Sequence, residues 1–134
     1  MIARARVVDA SAALEVLLRT PAAAKVEKRL FAKGETLHAP HLLDLEVAQV
    51  LRRYASTGQI APDRCRAALD DLADFPLIRY PHDFLLPRIW ELRANLTAYD
   101  AAYVALAEIL GAVLLTGDER LATAPGHHAR IELV

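Results

Sequence analysis

Short apolar runs alternate with longer amphipathic stretches along the chain. Five apolar runs are typical of buried strands, at residues 4–9, 36–39, 77–80, 112–116 and 131–134. Between them, apolar side chains recur at helical spacing, which predicts helices over residues 10–18, 20–34, 41–56, 62–73, 83–93 and 97–110. This alternation predicts an α/β fold with three layers, αβα, in which helices cover both faces of a mostly parallel five-stranded sheet.

Residues that favour helix ends mark several of these boundaries. Thr20 is predicted to cap the second helix, which Gly34 would end. Gly58 is predicted to end the long helix that begins at residue 41. Thr97 has the spacing of a capping box with Asp100, so it should start the last long helix.

Composition narrows the class of protein. The 134 residues are 54% hydrophobic and 25% charged, which predicts one globular domain over residues 1–134. A formal net charge of −1 argues against a plain nucleic-acid-binding module, although an enzyme with a local RNA site is compatible with it. Cys65, the single cysteine, leaves no internal disulfide and favours a reducing cytoplasm. Residues 1–6 do not resemble a signal peptide, and the apolar stretch 101–115 is too short to span a bilayer, so no membrane association is expected.

Four acids stand where a carboxylate has no obvious structural role: Asp9, Glu46, Asp100 and Asp118. Asp9 and Asp118 each come directly after a predicted strand, and active sites of parallel sheets lie beyond the carboxyl ends of the strands. If the fold brings the acids together, a divalent cation has to offset their repulsion. Hard oxygen ligands suit Mg²⁺ or Mn²⁺, so the set indicates a metal-dependent phosphodiesterase.

Each acid also has a simpler interpretation. Asp9 is well placed to cap the helix that follows it, and Asp118 follows a glycine in a sequence typical of a turn. Asp100 is the third residue of the capping box begun by Thr97. Glu119 is either an accessory ligand or, more simply, a solvated residue at the start of a helix.

The order and context of the acids resemble those of a known family. The matching segments are residues 7–12, 39–47, 99–107 and 116–121, and the resemblance covers nearly the whole chain. The chain resembles the PIN-domain ribonucleases, and within them the VapC toxins of bacterial toxin–antitoxin systems. The family pattern has acids at all four positions, and hydroxyl residues that match Ser11 and Thr116.

The resemblance implies a Mg²⁺- or Mn²⁺-dependent endoribonuclease that inhibits translation and growth, and leaves 5′-phosphate and 3′-hydroxyl ends. Asp9, Asp100 and Asp118 are expected to be metal ligands, and Glu46 a ligand or the residue that orients the attacking water. Ser11 and Thr116 are expected to hold these carboxylates, or waters on the metal, by hydrogen bonds.

The resemblance also implies partners besides RNA. A VapB-like antitoxin would lay its tail in a groove lined by the helices that begin at residues 41 and 83, and place a basic side chain near the acids. The toxin is expected to form a homodimer and a toxin–antitoxin hetero-oligomer. Alternatives are a catalytically weak RNA-binding PIN domain, a hydrolase with an aspartyl nucleophile, and a receiver-like Mg²⁺-binding signalling domain. The receiver needs a late lysine, whereas the lysines here are all early: Lys25, Lys28 and Lys33.

Overall fold

A five-stranded parallel sheet forms the centre of the molecule. The computed structural model describes residues 4–134, so residues 1–3 of the segment assessed above for a signal peptide lie outside the described residues. The strands are β1 (Ala5–Val8), β2 (Thr36–Pro40), β3 (Leu77–Tyr80), β4 (Val113–Thr116) and β5 (Arg130–Leu133). Their order across the sheet is β3-β2-β1-β4-β5, and every neighbouring pair is parallel.

Helices cover the sheet in two groups. They are α1 (Ala10–Leu17), α2 (Ala23–Leu30), α3 (Leu42–Thr57), α4 (Pro62–Ala73), α5 (Leu86–Glu91), α6 (Ala98–Leu110) and α7 (Glu119–Ala122). Helices α1 to α4 contact one another, whereas α5 contacts α6, which packs on β1, β2 and β4. The predicted three-layer αβα fold is therefore confirmed, and the sheet is parallel throughout.

The order in which strands are added to the sheet reverses between β1 and β4. Strands β2 and β3 extend the sheet on one side of β1, and β4 and β5 extend it on the other. Val8 lies beside Leu115, and the Asp9 amide donates to the Leu115 carbonyl at 3.2 Å. Such a switch in strand order opens a crevice at the carboxyl ends of the strands. The residues that follow β1 and β4 therefore meet at one place.

Helix α6 runs through the middle of the core. Its residues from Ala101 to Ala107 are all buried, and four of these seven are alanines. A helix that is apolar on every side has to be enclosed, and small side chains let it approach the sheet closely. Because its first turn carries Asp100, the burial of α6 fixes the place of that acid.

The expected helix ends are partly confirmed. Gly58 and Gly111 end α3 and α6 with φ of 75° and 61°, a left-handed conformation that glycine adopts without strain. Thr97 caps α6, because its hydroxyl accepts from the Asp100 amide at 3.1 Å.

Two helix predictions are wrong in detail. Thr20 does not cap α2, since its hydroxyl donates to the Glu15 side chain and α2 begins three residues later, at Ala23. The chain turns at Arg19, where φ is 53°, and α2 ends at Leu30, before Gly34. The helix expected over residues 83–93 is a 3₁₀ turn, Asp83–Leu85, followed by the short α5.

Within residues 4–134, no helix has both the length and the apolar character that a membrane span requires.

Candidate active site

Asp9 begins the site at the end of β1. It is the N-cap of α1, and its Oδ1 accepts from the Ala12 amide at 3.0 Å. The same oxygen accepts from the Ser11 hydroxyl at 2.6 Å, and Oδ2 accepts from the Thr116 hydroxyl. Only 6% of Asp9 is exposed. Its Oδ1 is thus fully engaged, whereas Oδ2 keeps one lone pair for a further ligand.

The two hydroxyls join the ends of β1 and β4. Ser11 Oγ accepts from the Gly117 amide at 2.9 Å, and Thr116 Oγ1 accepts from the Asp118 amide at 2.9 Å. A hydroxyl has one proton, and both protons are directed to Asp9. Ser11 and Thr116 therefore hold the Asp9 carboxylate and shape the turn that carries Asp118.

Glu46 approaches the same place from α3, between β2 and β3 in the chain. Its side chain is half-buried, and its Oε1 accepts from the Tyr103 hydroxyl at 2.5 Å. Glu46 lies one position before Val47, which packs in the core, so its carboxylate is at the edge of the buried face of α3. No bond within residues 4–134 engages its Oε2.

Asp100 and Asp118 share a cleft of ≈ 240 Å³, which Asn95, Thr97 and Arg120 also line. Asp118 caps the short α7, since its Oδ1 accepts from the Arg120 amide at 2.9 Å. The exposed guanidinium of Arg120 lies 3.7 Å from the same oxygen. Asp9 thus fulfils the capping role that the simpler interpretation gave it, whereas Asp118, interpreted as a turn residue, is a helix cap that also lines the cleft.

The pKa values of Asp9, Glu46 and Asp100 are all raised, first by burial and then by neighbouring acids. Burial raises the pKa of Asp9, hydrogen bonds from Ser11, Thr116 and Ala12 lower it, and the charge of Asp100 raises it further. Burial also raises the pKa of Glu46; its bond from Tyr103 opposes this, and the charges of Asp100 and Asp9 add to it. The pKa of Asp100 is raised by burial and then by the charge of Asp118. Asp100 therefore takes part in three of these pairs, with Asp9, Glu46 and Asp118, and Glu46 is also affected by the charge of Asp9.

The donor set fits a hard divalent cation. It consists of carboxylate oxygens whose negative charges are poorly compensated, which is the environment that Mg²⁺ or Mn²⁺ favours. Within residues 4–134, no three His, Cys, Asp or Glu side chains stand where they could hold a metal ion between them. Mg²⁺ commonly binds through one or two carboxylates and keeps several waters.

A second groove opens beside Glu46. It has a volume of ≈ 410 Å³, and its lining comprises Leu42, Leu45, Glu46, Gln49, Val50, Arg53 and Tyr99. Leu45 and Tyr99 are largely exposed. One wall is α3 and the opposite wall is the first turn of α6. That the antitoxin tail lies between the helices from residues 41 and 83 stays a prediction.

Three other residues lie on the helices that carry or follow the acids. Asp44 pairs with Arg79 of β3 at 2.9 Å, so it is a structural charge. Glu119 is exposed in the first turn of α7, as the simpler interpretation predicts. Tyr103 was missed by the sequence analysis, although a buried tyrosine needs a partner for its hydroxyl. The available signal was its place three residues after Asp100 on the same helix.

Comparison with known sequences places the chain among nucleases. The PIN domain family matches residues 6–126. Ribonuclease VapC1 of Mycobacterium tuberculosis (strain ATCC 25618 / H37Rv) is 48% identical over 129 residues, which are 96% of each chain.

Solved structures share the fold. PAE2754 from Pyrobaculum aerophilum aligns with a TM-score of 0.70 and 28% identity, over 96% of this chain and 83% of that one. VapBC2 from Rickettsia felis, bound to a DNA fragment from its promoter, aligns with a TM-score of 0.71 and 14% identity, over 96% and 98% of the two chains.

Proposed function

The chain belongs to the PIN-domain family, among relatives of the VapC ribonucleases, and on that premise we propose that it is a metal-dependent endoribonuclease and the toxin of a VapBC-type toxin–antitoxin pair. Its substrate is RNA, its cofactor is Mg²⁺ or Mn²⁺, and cleavage leaves 5′-phosphate and 3′-hydroxyl ends. The result in a cell is inhibition of translation and growth.

One observation supports this proposal above the others. Besides burial, the charge of Asp100 raises the pKa of Asp9 and of Glu46, and the charge of Asp118 raises that of Asp100, so acids from four parts of the chain are close enough to affect one another. Mutual repulsion among such carboxylates destabilises the folded protein unless a cation offsets their charge. Their retention is therefore explained by a site that binds one. Asp9, Asp100 and Asp118 are the proposed ligands, either directly or through waters on the metal.

The chain's own residues have separate tasks in the proposed reaction. Bound Mg²⁺ or Mn²⁺ stabilises the charge on the phosphate and makes a water more acidic. Asp9 offers its free lone pair on Oδ2 from a carboxylate that Ser11 and Thr116 hold in place. Glu46 orients the attacking water with its free Oε2 and takes up the proton that the water loses. The water oxygen bonds to phosphorus, the bond from phosphorus to the 3′ oxygen breaks, and that oxygen takes a proton from solvent.

The test is cleavage of a structured RNA by the purified protein. Wild type should cut with Mg²⁺ or Mn²⁺ and stop with chelator, and the new ends should carry 5′-phosphates. Asp100→Asn should lose cleavage by about a hundredfold or more, because a ligand acts directly on the transition state. Asp63→Asn is the matched control, since Asp63 is an exposed acid in the first turn of α4. Equal cleavage by wild type and Asp100→Asn contradicts the proposal, and binding of RNA without cleavage favours the RNA-binding alternative.

The proposed partner is a VapB-like antitoxin. The groove beside Glu46 supports it, because exposed Leu45 and Tyr99 offer an apolar surface that ends at the acids. A basic side chain from the partner would compensate the carboxylates there. The similar Rickettsia felis structure is of VapBC2 bound to promoter DNA, which agrees with a toxin–antitoxin hetero-oligomer here. We also propose that the toxin forms a homodimer.

Co-expression tests the partner and its place. The product of a small neighbouring gene should co-purify with wild type and suppress toxicity. Leu45→Glu should weaken this complex, because it puts a charge into the groove. Leu86→Glu, on the exposed part of α5, is the control and should leave the complex intact. If Leu86→Glu alone disrupts the complex, the antitoxin binds along α5 instead.

A further inference from the structure

Tyr103 connects a core helix to an acid of the site. It lies on α6, is 1% exposed, and is the largest fully buried side chain of residues 4–134. Its hydroxyl donates to Glu46 Oε1 at 2.5 Å, across 57 positions of sequence. Within residues 4–134 this is the side-chain hydrogen bond that Glu46 makes, so the carboxylate has one protein partner.

The Tyr103 hydroxyl donates its hydrogen bond to the Glu46 carboxylate. Burial, and then the negative charge of Glu46, raise the pKa of the phenol above its ordinary value of 10.0. A neutral donor next to a carboxylate forms a charge-assisted bond, which is stronger and more directional than a bond between neutral groups.

The bond also links two acids of the crevice. Tyr103 lies three residues after Asp100, so both side chains are on the same side of α6. Glu46 comes from α3, which stands in the other helical layer. A glutamate side chain has three rotatable bonds and is free to swing unless a contact holds it. Tyr103 thus ties Glu46 to the helix that carries Asp100.

We propose that Tyr103 is a positioning residue for Glu46. The Tyr103 hydroxyl holds Oε1 of Glu46, so that Oε2 of the same carboxylate faces the reacting water. The inference rests on the proposed nuclease function, because it assigns Glu46 a place in that reaction. Tyr103 touches neither RNA nor metal in this role, and its effect on the reaction passes through Glu46.

The first test is the steady-state kinetics of variants that carry one substitution. Tyr103→Phe keeps the ring in the core and removes only the hydroxyl. It should lower kcat by about 10- to 100-fold, the usual effect of losing a group that orients a catalytic one. KM should stay nearly constant, because the orientation of the water matters only in the transition state. Tyr80→Phe is the matched control, since the Tyr80 hydroxyl makes a comparable bond, to His38 at 2.7 Å, away from the acids.

A double-mutant cycle separates positioning from general damage. In a Glu46→Gln background, Tyr103→Phe should change the cleavage rate by less than about twofold. The carboxylate through which Tyr103 acts is already absent from that background. An undiminished effect in that background overturns the inference, and so does a Tyr103→Phe variant with the kcat of wild type.

A measurement without metal or RNA distinguishes this inference from the proposed function. In chelator, unfolding of wild type, Tyr103→Phe, Glu46→Ala and the double variant should show coupling of about fivefold or more in the unfolding constant. If wild type fails to cut RNA while this coupling is present, the proposed function fails and the contact stands. If wild type cuts RNA and the coupling is absent, the inference fails alone.

A spectroscopic test does not depend on how well Tyr103→Phe folds. In metal-free wild type, the buried Tyr103 hydroxyl proton should exchange slowly enough to be observed by NMR, and Glu46→Ala should abolish that signal. A wild-type protein without such a proton, under conditions where the His38–Tyr80 pair retains its own, overturns the inference.

Discussion

At the scale of single residues, Asp9 combines a structural role with a charge in the crevice. It caps α1 through Oδ1, and its two oxygens accept hydrogen bonds from the hydroxyls of Ser11 and Thr116. An asparagine in its place would turn an NH₂ group toward one of these donors. Asp9→Asn therefore disturbs the fold and the charge together. Asp100 is the better probe of charge, because its backbone amide makes the capping bond and its carboxylate interacts with one hydroxyl, that of Thr97.

The first prediction is that Asp100→Asn stabilises the metal-free protein at neutral pH. Because the pKa of Asp100 is raised above its ordinary value of 3.8, the folded state holds more protons than the unfolded state as pH rises through the interval between the two values. Stability is therefore lost over that interval, and the full loss remains at neutral pH. Removing the charge should raise Tm in chelator, by about 4 °C for each kcal/mol recovered.

Metal should reverse the ranking of these two proteins. Millimolar Mn²⁺ should raise the Tm of wild type by mass action and that of Asp100→Asn much less. Asp63→Asn should melt at or slightly below wild type, because it loses a favourable charge at a helix N-terminus. A lower Tm for Asp100→Asn in chelator, with an equal response of all three proteins to Mn²⁺, would mean that the acid is structural.

At the scale of elements, the sequence predicts best where local chemistry decides. Helix α4 and strand β3 have the bounds predicted from sequence, because Pro62 starts the one and apolar residues bounded by Pro76 define the other. Thr20 was assigned wrongly, because its hydroxyl bonds backward to Glu15, a choice that depends on the turn at Arg19. Local rules describe the cap that a residue is able to form, whereas the fold selects among its partners.

The candidate site was predictable as a set of acids but not as a network. Asp9 and Asp118 follow strands, and a parallel sheet brings strand ends together. The bonds that hold Asp9 to Thr116 and Glu46 to Tyr103 span 107 and 57 positions. No local pattern specifies such pairs, since they depend on the strand order and on how α3 meets α6.

The second prediction concerns the pairing of β2 with β3. His38 is buried between Thr36 and Tyr80, with both ring nitrogens 2.7 Å from a hydroxyl oxygen. Burial lowers its pKa below 6.5. As pH falls below 6.5 the unfolded chain binds a proton that the folded protein refuses, so His38 should reduce the free energy of unfolding toward pH 5. His38→Gln should lose this part of the slope.

Urea unfolding between pH 5 and 7 measures that slope. His82→Gln is the control, because His82 is exposed just after β3 and should leave the pH dependence as it is in wild type. If His38→Gln and wild type lose stability alike toward pH 5, another group is responsible.

At the scale of the whole molecule, charges are compensated in one place and left uncompensated in another. Arg6 pairs with Glu35 at 2.7 Å, and Arg29 forms two bonds with Glu132. Arg88 likewise forms two bonds with Glu108. Among the described residues, the one basic side chain that pairs with an acid of the crevice is the exposed Arg120. These three arginines thus have acidic partners outside the crevice, whereas Asp9, Glu46 and Asp100 have no basic partner among the described residues.

The third prediction is that the Arg6–Glu35 pair stabilises the fold whether or not metal is present. Their side chains are 17% and 6% exposed, so removing one leaves the other charge buried without a partner. Glu35→Ala should cost about 3 kcal/mol in the free energy of unfolding. Glu132→Ala, which breaks a more exposed pair, should cost about 1 kcal/mol or less. Equal costs in urea unfolding would contradict the role of burial.

The adjacency of β1 and β4 has a consequence for how the protein is made. A ribosome synthesises Asp9 107 positions before Thr116, whose hydroxyl bonds it, and the neighbouring Asp118 follows later still. Until then β1 lacks the neighbour that completes this side of the sheet. A nascent chain released early therefore has an incomplete set of acids and no β4 to hold the first of them. An unfinished copy should therefore lack the carboxylate set on which the proposed cleavage of RNA depends.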